Sequence, residues 1–482
     1  MKKLLLLSLS LFTLSASAEI ELPQIIGDNM VLQQNSDALL WGWATPDSKI
    51  QVTTGWNNRT YSTTTGSNGR WNISVLTPEA SYTPYDLVVK GDGSDIKINN
   101  ILIGEVWFCS GQSNMEMPLR GFGSQPVEGA TKAIAYSGQN KGIRVATVPK
   151  LQSYEPQEKV PGKWKESSPE NAPEFSAVAY FFAEALNKII DKPVGIIVCA
   201  YGGSKLESWL PEWKLEEYGP LYDMKKEKGM KDGEIDSWHR VGVEYNAMLK
   251  PLIGYTIKGF LWNQGESNVG LHNDYPAHQA DMVELWRNEW ENDTLPFYFV
   301  EIPGWNYDNP NGTSAALFRE SQHKAAEITP NCEFVSTVDL VYPFEVDDIH
   351  ARQKKPIGER LAFLAATKDY DVKGLPWQYP TFKSVELNGN TATVLFSQPN
   401  SGLNPYNDMP GFEVAGEDRV FYPAKAREEW DFKDNTFKIY VSAPEVNDIK
   451  SVRYAFKNFY PATVRDMLGM PLVPFRTDDW EE

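Results

Sequence analysis

ILIGEVWFCSGQSNM, residues 101–115, is the stretch on which the reading of this chain turns. Its first part, Ile101–Cys109, is mostly apolar and rich in β-branched and aromatic side chains. It reads as a strand buried on both faces, which belongs to a parallel sheet covered by helices. The turn that follows, Gly111-Gln112-Ser113-Asn114-Met115, sets a serine hydroxyl just beyond the strand, with a glycine before it. In an open α/β sheet, sites form there, outside the carboxyl ends of the strands. The turn is not the G-x-S-x-G elbow of the α/β-hydrolases, because Met115 stands where the last glycine would be.

Downstream the same pattern recurs. Phe175–Ile190 has helical periodicity and Pro193–Ala200 reads as the next strand. Tyr255–Trp262 is a further strand, Tyr275–Trp290 a helix, and Phe297–Ile302 a strand. Ala315–Ile328 is a helix, Glu333–Val338 a strand and Lys354–Lys368 a final helix. Continuous apolar strands alternating with helices predict an α/β domain with a parallel sheet over 101–374. Upstream, residues 19–100 look all-β: Ala38–Ala44, Lys49–Trp56, Arg70–Leu76 and Tyr85–Lys90 are separated by turn signals such as Ser67-Asn68-Gly69. Residues 375–482 return to β, with a hairpin predicted around Asn388-Gly389. Both flanking domains are expected to be sandwich-like.

Residues 1–18 read as a secretory signal: Lys2 and Lys3, an apolar run Leu4–Leu14, then small residues at Ala16 and Ala18. Cleavage after Ala18 leaves no transmembrane anchor and predicts a secreted or periplasmic protein. The formal charge is −18, or −20 without the two leader lysines, which argues against a nucleic-acid partner. The three cysteines, Cys109, Cys199 and Cys332, are too few for a disulfide framework. Two of them lie in apolar runs and read as free buried thiols, although a Cys109–Cys199 bridge between neighbouring strands is conceivable.

Four strand ends of the middle domain carry residues suited to chemistry. The first is the Ser113 turn. The second is Tyr201-Gly202-Gly203-Ser204, where paired glycines present bare N–H groups of the kind that stabilise an oxyanion. The third is Asn263-Gln264-Gly265-Glu266-Ser267-Asn268, with amide donors. The fourth is Asp347-Asp348-Ile349-His350. Of five histidines only His350 has carboxylates two and three residues before it, the setting of an oriented base.

Gly-Gln-Ser-Asn-Met-Glu-Met-Pro at 111–118, Gly-Gly-Ser at 202–204, Asn-Gln-Gly-Glu-Ser-Asn at 263–268 and Asp-Ile-His at 348–350 resemble the sialate O-acetylesterase family of the SGNH hydrolase superfamily. Lesser echoes lie at 28–33, 421–424 and 452–456. The resemblance implies an SGNH-type αβα sandwich with accessory β domains and no metal or organic cofactor. It matches Ser113 to the nucleophile, His350 to the base, and Gly203 and Gln264 to oxyanion donors beside the N–H of Ser113. The superfamily spacing picks Asp347 as the orienting acid, with Asp348 or a backbone carbonyl as alternatives. Ala351 stands where relatives often have proline.

The expected activity is release of acetate from an O-acetylated carbohydrate, sialic acid or a plant hemicellulose such as xylan or xyloglucan. Glu116, Trp209, Glu266 and Asn268 are candidates to shape the sugar subsite. Arg120 is the nearest candidate in sequence to meet a sialate carboxylate. A non-catalytic glycan-binding protein is the rival from another class, since Trp-rich β-sandwiches bind glycans. A glycosidase ranks below both, because no carboxylate pair stands out at the strand ends.

Overall fold

One 18-residue strand, Ser94–Gly111, organises the molecule. In the computed structural model, which describes residues 19–231, 233–307, 309–397 and 401–480, it belongs to two regions at once. Its first seven residues are mostly exposed or half-buried; from Ile101 to Gly111 every residue is buried. The upstream part pairs antiparallel with Ser81–Gly91, and Leu102–Gly104 pairs parallel with Val31–Gln33. The downstream part is the central strand of the α/β sheet. The expected boundary at residue 100 therefore falls inside a strand, and both regions share one eleven-stranded sheet.

Around the central strand, Val194–Ala200 pairs on one side and Gly259–Asn263 on the other, both parallel. Phe297–Val300 and Cys332–Val335 extend the sheet beyond Gly259–Asn263, and Ile143–Thr147 extends it beyond Val194–Ala200, again parallel. Trp164–Glu166 closes that edge antiparallel. Later strands thus go to opposite sides of Ser94–Gly111, and a crevice opens at its carboxyl end. Val194–Ala200 is buried at all seven positions, as a strand covered on both faces must be.

Helices Ala177–Ile190 and Lys354–Asp369 cover one face, with Phe181, Phe182, Leu361 and Leu364 in the shared core. Tyr275–Glu289 and Ser314–Ile328 cover the other with Met282, Trp286 and Phe318. This is an αβα sandwich. The C-terminal region holds two four-stranded antiparallel sheets around Val394, Ile439, Val441 and Val452. Its first hairpin turns at Gly389 and Asn390, between paired Asn388 and Thr391.

The strands Ile143–Thr147 and Trp164–Glu166 were not among the expected elements. The three cysteines are free and buried. Cys109 is paired with Val198, so Cys109 and Cys199 point to opposite faces of the sheet and cannot bridge. The expected leader, 1–18, lies outside the described residues. Among the described residues no helix is long and apolar enough to cross a membrane.

Candidate active site

Ser113 opens a one-turn helix, Ser113–Glu116, directly after the central strand. Main-chain bonds tie this turn to both neighbouring strand ends. Gln112 N–H donates to the Asn263 carbonyl (2.9 Å) and Tyr201 N–H to the Gly111 carbonyl (3.0 Å). Gln112 Oε1 accepts from the N–H groups of Gly265 (3.2 Å) and Ser267 (3.4 Å). Ser267 Oγ donates to the Gly203 carbonyl at 2.7 Å. Glu116 Oε2 accepts the Gly202 N–H at 2.7 Å, and its Oε1 pairs with Lys150 at 2.9 Å. Three of the four expected strand ends are thereby locked together.

The glycine pair is required by close approach. Gly203 has φ +83°, and a Cβ there would fall 2.7 Å from the Trp238 ring. A Cβ on Gly202 would lie 3.4 Å from the Ser113 Cβ and 2.8 Å from Glu116 Oε2. Bare backbone therefore faces the serine. Among the described residues the N–H groups of Ser113 and Gly203 have no acceptor, which leaves two donors open beside the hydroxyl.

The third strand end departs from expectation. Gln264 is fully buried, and its amide donates to the Ser204 carbonyl (3.2 Å) and to Asn268 Oδ1 (2.7 Å) while accepting from the Tyr275 hydroxyl (3.0 Å). Both its N–H groups are occupied in bracing the loops. The neighbouring Asn263 has a buried Nδ2 with no partner. Asn263 lies two residues beyond Leu261, on the sheet face that also packs Met115 and the helix Lys354–Asp369.

Three residues expected at the sugar subsite are internal. Trp209 is fully buried, edge-on to Trp262, with Nε1 donating to Ser204 Oγ at 3.0 Å. Asn268 accepts the Leu206 N–H (3.0 Å) and donates to Glu207 (2.9 Å). Glu266 accepts from Asn114 Nδ2, and burial raises its pKa. Of the four candidates, Glu116 alone is partly exposed. A polar or aromatic residue at a strand end serves as readily to brace loops as to meet a ligand. Arg120 is exposed and paired with Glu174 at 2.7 Å.

His350 sits in the loop before Lys354–Asp369. Asn114 Nδ2, one residue past Ser113, donates to the Ile349 carbonyl (3.1 Å), one residue before the histidine, and so brings both to the same sheet edge. Lys354 Nζ donates to Asn114 Oδ1 from the other side. Neither aspartate touches the imidazole through its side chain. Asp347 is exposed, and its carboxylate accepts from Asn306. Asp348 Oδ1 accepts the His350 backbone N–H (3.0 Å) and Gln125 Nε2 (2.7 Å). Gln125 Oε1 lies 2.7 Å from His350 Nδ1, while the Phe122 ring packs edge-to-face on the imidazole at 5.3 Å. Nε2 is buried with no partner. Burial, and then the Lys354 charge, push the His350 pKa down to about 4, so the ring is a neutral base. Burial lowers Lys354 itself to about 8, against the opposing fields of Glu266, Asp348 and Glu345.

Gln125, Phe122, Trp238, Asn263 and Lys354 are the site residues that sequence reasoning missed. Gly121, Gly123 and Pro126 mark a turn, but nothing in the string connects it to a histidine 225 positions away.

The family described as carbohydrate esterase, sialic acid-specific acetylesterase, matches residues 103–366, more than half of the chain. The match begins in the central strand and ends in the helix that follows His350. A carbohydrate acetylesterase from Xanthomonas citri is similar at 30% identity and TM-score 0.84, over 96% of this chain and 100% of its own. Sialate O-acetylesterase from Homo sapiens is 26% identical over 409 residues, 77% of this chain and 75% of its own length. That from Mus musculus is 26% identical over 467 residues, 86% and 85%. The chain belongs to the sialic acid-specific acetylesterase family of carbohydrate esterases, and is an ester hydrolase.

Proposed function

We propose that the protein releases acetate from O-acetylated carbohydrate through an acetyl-enzyme on Ser113. His350 Nε2 takes the Ser113 proton as the oxygen attacks the acetyl carbonyl. The oxyanion lies against the N–H groups of Ser113 and Gly203. The Asn263 amide is the third donor rather than Gln264, whose N–H groups are occupied. His350 protonates the departing sugar hydroxyl, and water then releases acetate by the reverse route. Asp348 orients the base and Asp347 does not. The observation that carries this reading is an unpartnered imidazole nitrogen at the strand end where two open N–H donors flank a serine.

Neutral acetylated sugars, as in hemicellulose, suit the site better than a sialate. Two exposed cations beside the turn are already balanced, Arg120 by Glu174 and Lys150 by Glu116. With 1–18 as an export leader, the enzyme meets such substrates outside the cytoplasm. Acetate release across acetylated sialosides, xylan and xyloglucan fragments tests the preference, and faster turnover of sialosides reverses it. Ser113→Ala should lower release on any of them by about 10⁴-fold or more and abolish labelling by a fluorophosphonate. Full activity in that variant refutes the mechanism.

A further inference from the structure

A surface hairpin far from His350 in sequence packs two side chains on its imidazole. Phe122 and Gln125 are paired antiparallel, with Phe122 N–H on the Gln125 carbonyl (3.0 Å) and Gln125 N–H on the Phe122 carbonyl (2.5 Å). Gly123 and Ser124 form its tip, and Gly123 has φ +42°. A Cβ on Gly121 would strike the Gln125 carbonyl. The Glu128 N–H donates to the Arg352 carbonyl at 2.9 Å and pins the hairpin to the histidine loop. The pairing sets two side chains on one imidazole: the Phe122 ring against its face and the Gln125 amide at its edge.

We propose that Gln125 is a positioning residue of this esterase, its amide bridging the Asp348 carboxylate to His350 Nδ1 and thereby fixing the imidazole tautomer. The inference rests on Ser113 and His350 being nucleophile and base. An ionised carboxylate only accepts hydrogen bonds, so the amide end facing Asp348 must be the NH₂ group. The opposite end of the amide is then the carbonyl, and it too only accepts. Nδ1 must therefore carry the proton, and Nε2 is left with its lone pair towards the serine. Asp348 thus does through one amide what an orienting aspartate does by direct contact. The amide also holds the charge one residue away from the ring. The charged groups around the base are Asp348 on its own loop, exposed Asp347 held by Asn306, and Lys354 on the helix, which lies in the fields of Glu266 and Glu345. Phe122 and Asn114 bring no charge.

The test measures kcat, KM and pH profiles for Gln125→Leu, Gln125→Glu, Asp348→Asn and the double Gln125→Leu/Asp348→Asn variant on an aryl acetate, beside Ser113→Ala and His350→Ala. Gln125→Leu should lower kcat about 10- to 100-fold with KM within about threefold, because a mis-set tautomer removes general-base catalysis and leaves binding intact. Asp348→Asn should fall similarly, since an asparagine no longer dictates which way the amide points. The double variant should cost no more than the worse single one, because the two act as one unit. Gln125→Glu should keep an acceptor on Nδ1 and recover part of kcat. It should also move the acid limb of the profile upward, since a carboxylate on the ring favours the imidazolium. Gln125 is half-buried between exposed hairpin neighbours, and Gln125→Glu carries the test even if the leucine variant folds poorly. An unmoved acid limb in Gln125→Glu, or single losses that multiply in the double variant, overturns the bridge. Activity surviving in Ser113→Ala or His350→Ala overturns the underlying assignment instead.

Discussion

The two halves of the proposed active site are held in different ways. The nucleophile turn is held mainly by backbone. Gly111 is paired with Ala200 on one side and Asn263 on the other, and the next residues continue those contacts with main-chain bonds. Once the sheet register is set, the position of Ser113 follows. The base loop is held largely by side chains from distant segments: Gln125 and Phe122 from one hairpin, Asn114 from the nucleophile turn, and Asn306 on Asp347. A backbone-held group is robust to substitution. A side-chain-held group can be tuned one residue at a time.

The sharpest way to break that contrast lies on the nucleophile side, where only one donor is a side chain. Asn263→Ala should lower kcat about a hundredfold while KM stays within a few-fold, the size expected for one lost oxyanion donor. Gln264→Ala should instead lower the melting temperature, since it strips partners from Ser204, Asn268 and Tyr275. If Gln264→Ala lost turnover at unchanged stability while Asn263→Ala stayed active, the two roles would have to be exchanged.

The contrast also explains what was legible in the sequence. The serine turn, the glycine pair and the amide-rich strand end announce themselves because strand, turn and chemical group are contiguous. His350 could be picked from five histidines by its neighbours. Its partner could not, because the Gln125 contact depends on how a hairpin folds back over a loop. The burial of Trp209, Asn268 and Glu266 was not legible for a related reason: residue type at a strand end does not say which way a side chain points. The central strand was recognised from Ile101 onward and not from Ser94, because its first residues alternate like a half-wet strand while the rest read as a buried one.

On the base side, pH is the smaller lever. With His350 held down to about 4, kcat/KM should stay level down to about pH 5 and fall only near pH 4. A histidine at its ordinary value would be about 97% protonated at pH 5, and activity would be roughly thirtyfold lower there. Stability should respond over a different window, in the same direction. The unfolded chain takes up a proton near pH 6.5, whereas the folded protein does so only near 4. The unfolded state therefore binds more protons across that window, and stability drops as pH falls through it. A pH–rate profile beside melting curves at the same pH values checks both. An acid limb near 6.5 would mean that neither burial nor Lys354 acts on the working base.

Trp238 tests whether the backbone-held half also shapes binding. Its indole packs on the flat face that Gly203 offers, yet 44% of the residue stays exposed. A ring fixed on one side and open on the other presents an apolar face next to the oxyanion donors, which suits stacking against a sugar or an acetyl methyl group. Trp238→Ala should raise KM about tenfold, roughly 1.4 kcal/mol, and leave kcat within about threefold. The N–H donors of Ser113 and Gly203 are main chain and stay in place. Trp238→Phe should recover most of the loss. If KM held and kcat fell instead, the indole would be propping up the Gly203 N–H rather than receiving substrate. The backbone of the nucleophile half would then depend on a side chain after all, and the difference between the two halves would be one of degree.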